Sequence, residues 1–138
     1  AAGTVGVRPV KQGRGKMRDR WFNYLHVTCG GQTLLHRRGG GDIWQGLYEF
    51  PLIETDKAAD FAELAATAAF RELLGNGRWH LRRSVTMPGH QLSHQLLHAV
   101  FHRIECDAMP AFPSVETAAL GGYALPRLVD RYLTKYQM

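Results

Sequence analysis

The fold of this chain is decided by residues 41–51, which read GDIWQGLYEFP. The segment follows a basic pair, Arg37-Arg38, and it places Trp44, Gly46 and an aromatic–acid–aromatic–proline string in one short stretch. Glycine permits tight backbone turns, and aromatic side chains anchor a strand to a core. The segment therefore predicts a fixed turn that leads into a buried strand.

The rest of the chain has an α+β pattern. Residues 21–29 and 33–36 are rich in aromatic and β-branched residues and flank Gly30-Gly31, which predicts a β-hairpin. Residues 58–74 contain no Pro or Gly, and their apolar side chains are spaced for one buried helical face. Further strands are predicted at 48–54 and 79–87, and a final helix at 126–136.

Residues 90–104 allow two interpretations. Histidines at positions 90, 94, 98 and 102 fit one stripe of a helix or one face of a strand. On a helix, His-x-x-x-His is a zinc-ligand spacing, but the glutamate of the His-Glu-x-x-His motif is absent. The preceding Pro88-Gly89 favours a strand, which would separate successive histidine rings by ~13 Å. No metal site is therefore predicted, and these histidines are interpreted as structural or solvent-facing.

Composition limits the class of protein. The chain has 138 residues, of which 45% are hydrophobic and 21% charged, as in a single globular domain. Its two cysteines, Cys29 and Cys106, have no Cys-x-x-Cys spacing, which indicates a reducing compartment. The first residues lack a signal-peptide core, and no run reaches the ~20 apolar residues of a membrane helix. We expect a soluble, cytoplasmic protein without membrane contact.

The positive charge is concentrated at the N-terminus. Residues 1–20 hold six Lys or Arg and one acid, whereas the whole chain carries a net charge of only +5. Such a segment buries too little surface to fold alone, so we expect a flexible basic linker over residues 1–18 and a folded domain over 19–138. The linker is interpreted either as a solvated tail or leader, or as a segment that lies along nucleic-acid phosphates.

The predicted helix at 58–74 resembles part of the Nudix motif, G-x5-E-x7-R-E-U-x-E-E-x-G-U, in which U is a bulky aliphatic residue. The matching positions are Glu63, Arg71, Glu72 and Leu73, and the departures are Lys57, Gly75, Asn76 and Arg78. The motif's paired glutamates hold divalent ions, and that pair is replaced here. The resemblance implies a Nudix-like mixed β-sheet packed against helices, without a metal site or catalysis. A chance match on an amphipathic helix is the alternative.

A second resemblance covers the chain from about residue 8. Residues 41–51 resemble the "G-(I/L)-W-x-G-L-(W/Y)-E-F-P" segment in the C-terminal domain of the MutY family of adenine DNA glycosylases. Leu92-Ser93-His94 is similar to that family's Phe-Ser-His loop, and Ala124-Leu125-Pro126 to the motif that opens its last helix. The basic segment leading into Arg18-Asp19-Arg20 is similar to the linker between the two domains of that family.

The MutY resemblance implies a divided enzyme. Its family removes adenine mispaired with 8-oxoguanine, using an N-terminal domain with a helix-hairpin-helix, catalytic acids and an iron–sulfur cluster. This chain carries none of these, so the resemblance implies a fragment without catalytic residues or cofactor. Its implied role is in base-excision repair: this chain would recognise 8-oxoguanine in double-stranded DNA, while the catalytic domain flips the adenine out and cleaves its glycosidic bond. The implied partners are that DNA and the catalytic domain, on the bacterial nucleoid.

The resemblance also implies the site residues. Oxidation gives guanine a new N–H donor and a new carbonyl acceptor, which the Ser93 hydroxyl and backbone can bond. His94 would hold the loop or contact a phosphate, and Leu92 would press against a base step without aromatic stacking. The predicted phosphate contacts are Lys11, Arg14, Lys16, Arg18, Arg37 and Arg38.

Two alternatives remain open. The first is a Nudix-type hydrolase of oxidised nucleotides, and the second is a non-catalytic protein-interaction module. Ser93 and His94 could also be ordinary residues at a strand entry. Trp44, Tyr48 and Glu49 are interpreted as structural, with Glu49 as a local hydrogen-bond acceptor.

Overall fold

A computed structural model describes residues 17–75 and 77–136. Lys11, Arg14 and Lys16, and almost all of the predicted linker, lie outside these residues. The strands are β1 (Arg18–Cys29), β2 (Gln32–Leu34), β3 (His36–Arg37), β4 (Tyr48–Glu49), β5 (Leu52–Thr55), β6 (Trp79–Thr86), β7 (His90–Leu92), β8 (Gln95–Cys106) and β9 (Ser114–Glu116). The helices are α1 (Phe61–Ala65), α2 (Ala68–Leu74), a 3-10 helix (Thr117–Gly122) and α3 (Arg127–Lys135).

A mixed sheet forms the centre of the fold. Its strands run in the order β6-β8-β1-β2-β9, with β5 on β1 and β7 on β8. The central pair, β1 and β8, is parallel, with Arg18 opposite Gln95 and Thr28 opposite Glu105, and every other pairing is antiparallel. β3 and β4 form a separate two-stranded ribbon. The predicted α+β class, with a mixed β-sheet packed against helices, is confirmed.

The sheet is covered on both faces, which explains why β1 is buried along most of its length. Phe22 and Tyr24 of β1 pack with α3 in the larger core cluster. Leu25 and Val27 belong to a second cluster with α1 and α2. The alternation of side chains along one strand thus assigns α3 to one face and α1–α2 to the other.

The predicted hairpin is confirmed: Thr28 pairs with Thr33 across Gly30 and Gly31, which have φ values of +52° and +86°. Both glycines adopt the left-handed region that a two-residue hairpin turn requires. The final helix is also confirmed, as α3 beginning directly after Pro126. No helix in the described ranges is long and apolar enough to cross a membrane.

The single helix predicted at 58–74 is wrong in one respect, because it is two helices. Thr67 lies between α1 and α2 and is the N-cap of α2: its hydroxyl donates to the Leu64 carbonyl of α1 at 2.8 Å and accepts from the Phe70 amide at 3.2 Å. Thr favours such capping over the helix interior, and this local bond overrode the helical pattern. α1 itself starts from a capping box between Asp60 and Glu63.

The single strand favoured over residues 90–104 is likewise interrupted. β7 and β8 are two antiparallel strands with a turn at Ser93 and His94. On β8, Leu97, Ala99 and Phe101 face the larger core cluster. This turn, rather than a strand interior, is where the predicted recognition residues lie.

Candidate nucleic-acid interface

The turn between β7 and β8 forms an exposed tip. Leu92 pairs with Gln95, so the turn consists of Ser93 and His94 alone. Ser93 has a φ of +50°, a left-handed conformation that is unfavourable by roughly 1–2 kcal/mol for a residue with a side chain. Both turn residues are exposed, and the Ser93 hydroxyl has no hydrogen-bond partner within the described part of the chain. The tip therefore presents a hydroxyl group to solvent on a strained backbone.

The position of this tip is fixed by β1. The Arg18 backbone amide donates to the His94 carbonyl at 2.8 Å. Arg20 donates from Nη1 to Oε1 of Gln95, the first residue of β8, at 2.9 Å. Since β1 and β8 are paired in register from Arg18 onward, the tip extends from the rigid centre of the sheet.

Arg20 is the centre of a charged cluster beneath the tip. Its side chain is 6% exposed and donates to both carboxylate oxygens of Glu54 at 2.8 Å and to both of Asp42 at 2.9 Å. These bonds lower the pKa of Asp42 far below its usual range and also lower that of Glu54, while the pKa of Arg20 is raised. The cluster joins residues 41–51 to β1 and β5.

Arg38 extends this cluster into the core. It donates to Asp42 at 2.9 Å and, through Nη1, to both carboxylate oxygens of Glu49 at 3.0 Å. Glu49 is buried and also accepts from the Tyr24 hydroxyl at 2.8 Å, with His36 Nε2 at 3.0 Å. Burial and the Glu49 charge raise the pKa of Tyr24. Arg38 is thus engaged inside the protein, so this geometry gives no support to its prediction as a phosphate contact.

The other predicted contacts differ in accessibility. Arg18 is exposed beside the tip, and Arg37 is exposed with its Nε donating to the Gly46 carbonyl at 3.1 Å. Leu92 is half-buried and packs against the larger core cluster, which anchors the base of the turn. The structure therefore brings Arg18, Ser93 and His94 together, with Arg37 on the neighbouring ribbon.

Trp44 lies in a second strained segment close to the tip. Its φ is +59°, and among the described residues only Trp44 and Ser93 combine a side chain with a positive φ. The Trp44 ring packs against Phe22 at 6.1 Å and approaches His90, the first residue of β7, at 6.2 Å between centroids. Strained backbone of this kind concentrates at functional sites.

The Nudix metal positions form a different region, on α1 and α2. Glu63 is occupied as a cap, accepting from the Asp60 amide at 3.0 Å, while Gly75 has no side chain to offer a cation. Within residues 17–75 and 77–136, no three His, Cys, Asp or Glu side chains converge on a common point. This donor set does not fit a Nudix magnesium site.

A cavity of about 300 Å³ lies between β5 and α2. Its wall is mostly apolar, with Leu52 and Phe112, and includes the polar side chains of His36 and Glu72. Its size and lining are those of a small-molecule pocket, although it lies on the opposite side of the fold from α3.

Arg20 and Gln95 were not recognised from the sequence as site-positioning residues. A signal was present, since Arg20 shares a strand face with Phe22 and Tyr24, and a charge on such a face requires buried partners. The guanidinium lies 4.9 Å from the Phe22 ring centroid. The partners, Asp42 and Glu54, come from distant segments, and their proximity depends on the sheet pairing.

The sequence of the chain matches the model of a known protein family. A family model described as NUDIX domain matches residues 23–135. No curated protein matches the sequence. Since the model covers most of the chain, the match concerns the whole folded domain and not the short motif alone.

Solved structures share the fold at low sequence identity. The C-terminal domain of mouse MUTYH, solved in complex with human PCNA, is 15% identical with a TM-score of 0.61, over 88% of this chain and 100% of that one. The Nudix hydrolase RenU of M. smegmatis is 12% identical with a TM-score of 0.59, over 88% of this chain and 84% of that one. A MutT protein, from a study of Aliivibrio salmonicida and Vibrio cholerae, is 14% identical with a TM-score of 0.51, over 86% of this chain and 100% of that one. These likenesses establish the fold.

Proposed function

The chain belongs to the NUDIX domain family, and on that premise we propose that it recognises 8-oxoguanine opposite a mispaired adenine in double-stranded DNA. The observation that carries the proposal is the exposed Ser93 hydroxyl on a left-handed turn, bonded to β1 through His94 and Gln95. A positive φ belongs to a two-residue hairpin turn and is usually supplied by glycine, so a serine here, whose hydroxyl has no partner among the described residues, is suited to a ligand.

The chemistry of the lesion matches such a hydroxyl. Oxidation converts the N7 acceptor of guanine into an N–H donor and adds a carbonyl at C8. The Ser93 hydroxyl can accept from N7–H, and its O–H or backbone N–H can donate to the new carbonyl. Undamaged guanine presents an acceptor at N7, so the same hydroxyl loses at least one of these bonds, and a good pair of base contacts is worth about 1–3 kcal/mol.

The proposal assigns recognition and not cleavage to this chain. Adenine excision would require a separate catalytic domain with its own acids and iron–sulfur cluster. The present chain would hold the 8-oxoguanine that lies opposite the adenine. Arg18 and Arg37 would contact phosphates, with Lys11, Arg14 and Lys16 continuing along the duplex. The protein would then act in base-excision repair on the bacterial nucleoid. The MUTYH neighbour, a C-terminal domain crystallised with PCNA, supports this assignment only at the level of fold.

Direct binding tests the proposal. The 138-residue chain is titrated against duplexes containing 8-oxoguanine:adenine, guanine:adenine and 8-bromoguanine:adenine, with fluorescence anisotropy as the readout. 8-Bromoguanine carries a bulky group at C8 but has neither the N7–H nor the carbonyl. We expect a preference for 8-oxoguanine of about tenfold or more over both other duplexes. Equal binding to the three duplexes, or no binding, would contradict the proposal.

Hydrolysis of an oxidised nucleotide is the second candidate. The cavity between β5 and α2, which contains Glu72, and the hydrolases among the structural neighbours favour it. The test is phosphate or pyrophosphate release from 8-oxo-dGTP with Mg²⁺, comparing the wild type with Glu72→Gln. We expect no release above the buffer rate, because Glu63 caps a helix and Gly75 replaces a carboxylate. Release that Glu72→Gln abolishes would favour the hydrolase instead.

A further inference from the structure

The last helix carries a row of cations separate from the predicted contacts. Arg127, Arg131 and Lys135 are exposed and recur every four residues, so they lie along one face of α3. At 1.5 Å per residue the row is ~12 Å long. The opposite face is fixed to the sheet by Val129 and Tyr132, both fully buried.

The stability of α3 does not account for this row. Arg127 is the first helical residue, where the helix dipole disfavours a cation, and Arg131 adds a like charge one turn away. Neither guanidinium has an ion-pair or hydrogen-bond partner among the described residues. Lys135 suits the last turn, and its ammonium lies 5.7 Å from the Tyr136 ring. Arg127 and Arg131 are therefore available to an external anion.

The row lies close to the Ser93 tip. A cavity of about 470 Å³ separates α3 from residues 87–90, and its wall includes His90, Arg131 and Lys135 together with one acid, Asp130. Burial and the charges of Arg131 and Arg127 lower the pKa of His90, which places both guanidinium charges near the start of β7. From His90 to Ser93, β7 covers only ~10 Å.

We propose that Arg127, Arg131 and Lys135 bind the backbone phosphates that flank the base contacted by Ser93. This inference rests on the proposed function. The row matches the axial length of three to four phosphate spacings on one DNA strand, at ~3.4 Å each. Such contacts supply affinity and orientation but read no sequence, so they complement a tip that reads one base.

The test compares Arg127→Gln/Arg131→Gln with the wild-type chain on 8-oxoguanine:adenine and guanine:adenine duplexes over a series of salt concentrations. We expect the variant to bind both duplexes about tenfold more weakly or worse near 0.1 M salt, by the same factor for each. The slope of log affinity against log salt should fall by about 2, one unit for each lost phosphate contact.

The matched control is Lys57→Gln/Arg78→Gln. It removes the same charge from two exposed positions that flank the α1–α2 region, on the face of the sheet opposite α3. We expect the control to keep wild-type affinity within about twofold, and thermal unfolding of both variants checks that they are folded. If Arg127→Gln/Arg131→Gln behaves like the control, or loses only 8-oxoguanine binding, the inference is overturned. The proposed function is tested separately, by the preference of the wild-type chain for 8-oxoguanine. A wild-type chain that binds no DNA would overturn both.

Discussion

At the scale of the residue, the central feature is the backbone of Ser93. A left-handed φ is occupied readily by glycine, yet this position carries a serine with an exposed hydroxyl. Trp44 also has a left-handed φ, and its ring approaches His90, which lies at the other end of β7 from Ser93. Both residues come from segments that the sequence had singled out, although no residue pattern indicated their left-handed φ.

Replacing Ser93 with glycine should separate stability from recognition. Ser93→Gly removes the strain, so we expect the free energy of unfolding to rise by about 1 kcal/mol in urea denaturation. The preference for 8-oxoguanine should be lost together with the hydroxyl. Ser114→Gly is the control, since Ser114 is an exposed residue of β9 and glycine there should destabilise by about 0.5–1 kcal/mol. A Ser93→Gly protein that is less stable than wild type would show that the turn is not strained.

At the scale of the element, the Arg20 cluster ties residues 41–51, whose strand β4 lies outside the main sheet, to strands that are paired within it. Residues 41–51 are tied through Asp42 to β1, β5 is tied through Glu54, and the start of β8 through Gln95. The cluster explains why Arg38, one of the two basic residues that precede this segment, is engaged inside the fold. It also explains how a loop rich in glycine keeps a fixed position beside the tip.

Removing the Arg20 guanidinium should destabilise the domain. Arg20→Met keeps the buried aliphatic stem but leaves Asp42 and Glu54 without their shared partner, so we expect a loss of about 2 kcal/mol or more. The carboxylates are more than a third exposed, which keeps the loss below that of a fully buried pair. Arg82→Met, which breaks an exposed pair with Glu105, should cost much less than Arg20→Met. Equal losses in the two variants, measured in urea, would contradict a special role for Arg20.

At the scale of the whole molecule, two buried histidines couple stability to pH. Burial lowers the pKa of His26 to about 3 and that of His102 to about 4, from an ordinary value of 6.5. Between pH 6.5 and 4 the unfolded chain therefore binds protons that the folded chain does not. The free energy of unfolding is fully maintained above pH 6.5 and should fall as the pH decreases, by up to about 1.4 kcal/mol per pH unit for each histidine.

Urea denaturation at a series of pH values measures this effect. His102→Gln should reduce the slope between pH 6.5 and 4.5, because it removes one of the histidines whose pKa is lowered by burial. His80→Gln is the matched control, since it makes the same substitution at an exposed position on β6. A stability that stays constant over this range would contradict the lowered pKa values of His26 and His102.

Much of the architecture could be predicted from the sequence, because periodic apolar residues and glycine turns act locally. The β1–β2 hairpin, α3 and the core face of β8 follow directly from such patterns. The helix break at Thr67 and the β7–β8 turn were missed, since each depends on one local hydrogen bond or on two residues. Ser93 and His94 were predicted as site residues from the resemblance, whereas the position of Arg20 depends on contacts 34 and 75 residues apart, which no local pattern records.

The central claim, that the Ser93 hydroxyl reads the oxidised edge of guanine, is tested most directly by a thermodynamic cycle. Affinities of the wild-type chain and of Ser93→Ala are measured on 8-oxoguanine:adenine and guanine:adenine duplexes, with Ser114→Ala as the control. We predict that Ser93→Ala weakens 8-oxoguanine binding by about tenfold and leaves guanine binding nearly unchanged, a coupling of about 1.4 kcal/mol. An unchanged preference for 8-oxoguanine in Ser93→Ala would contradict the claim.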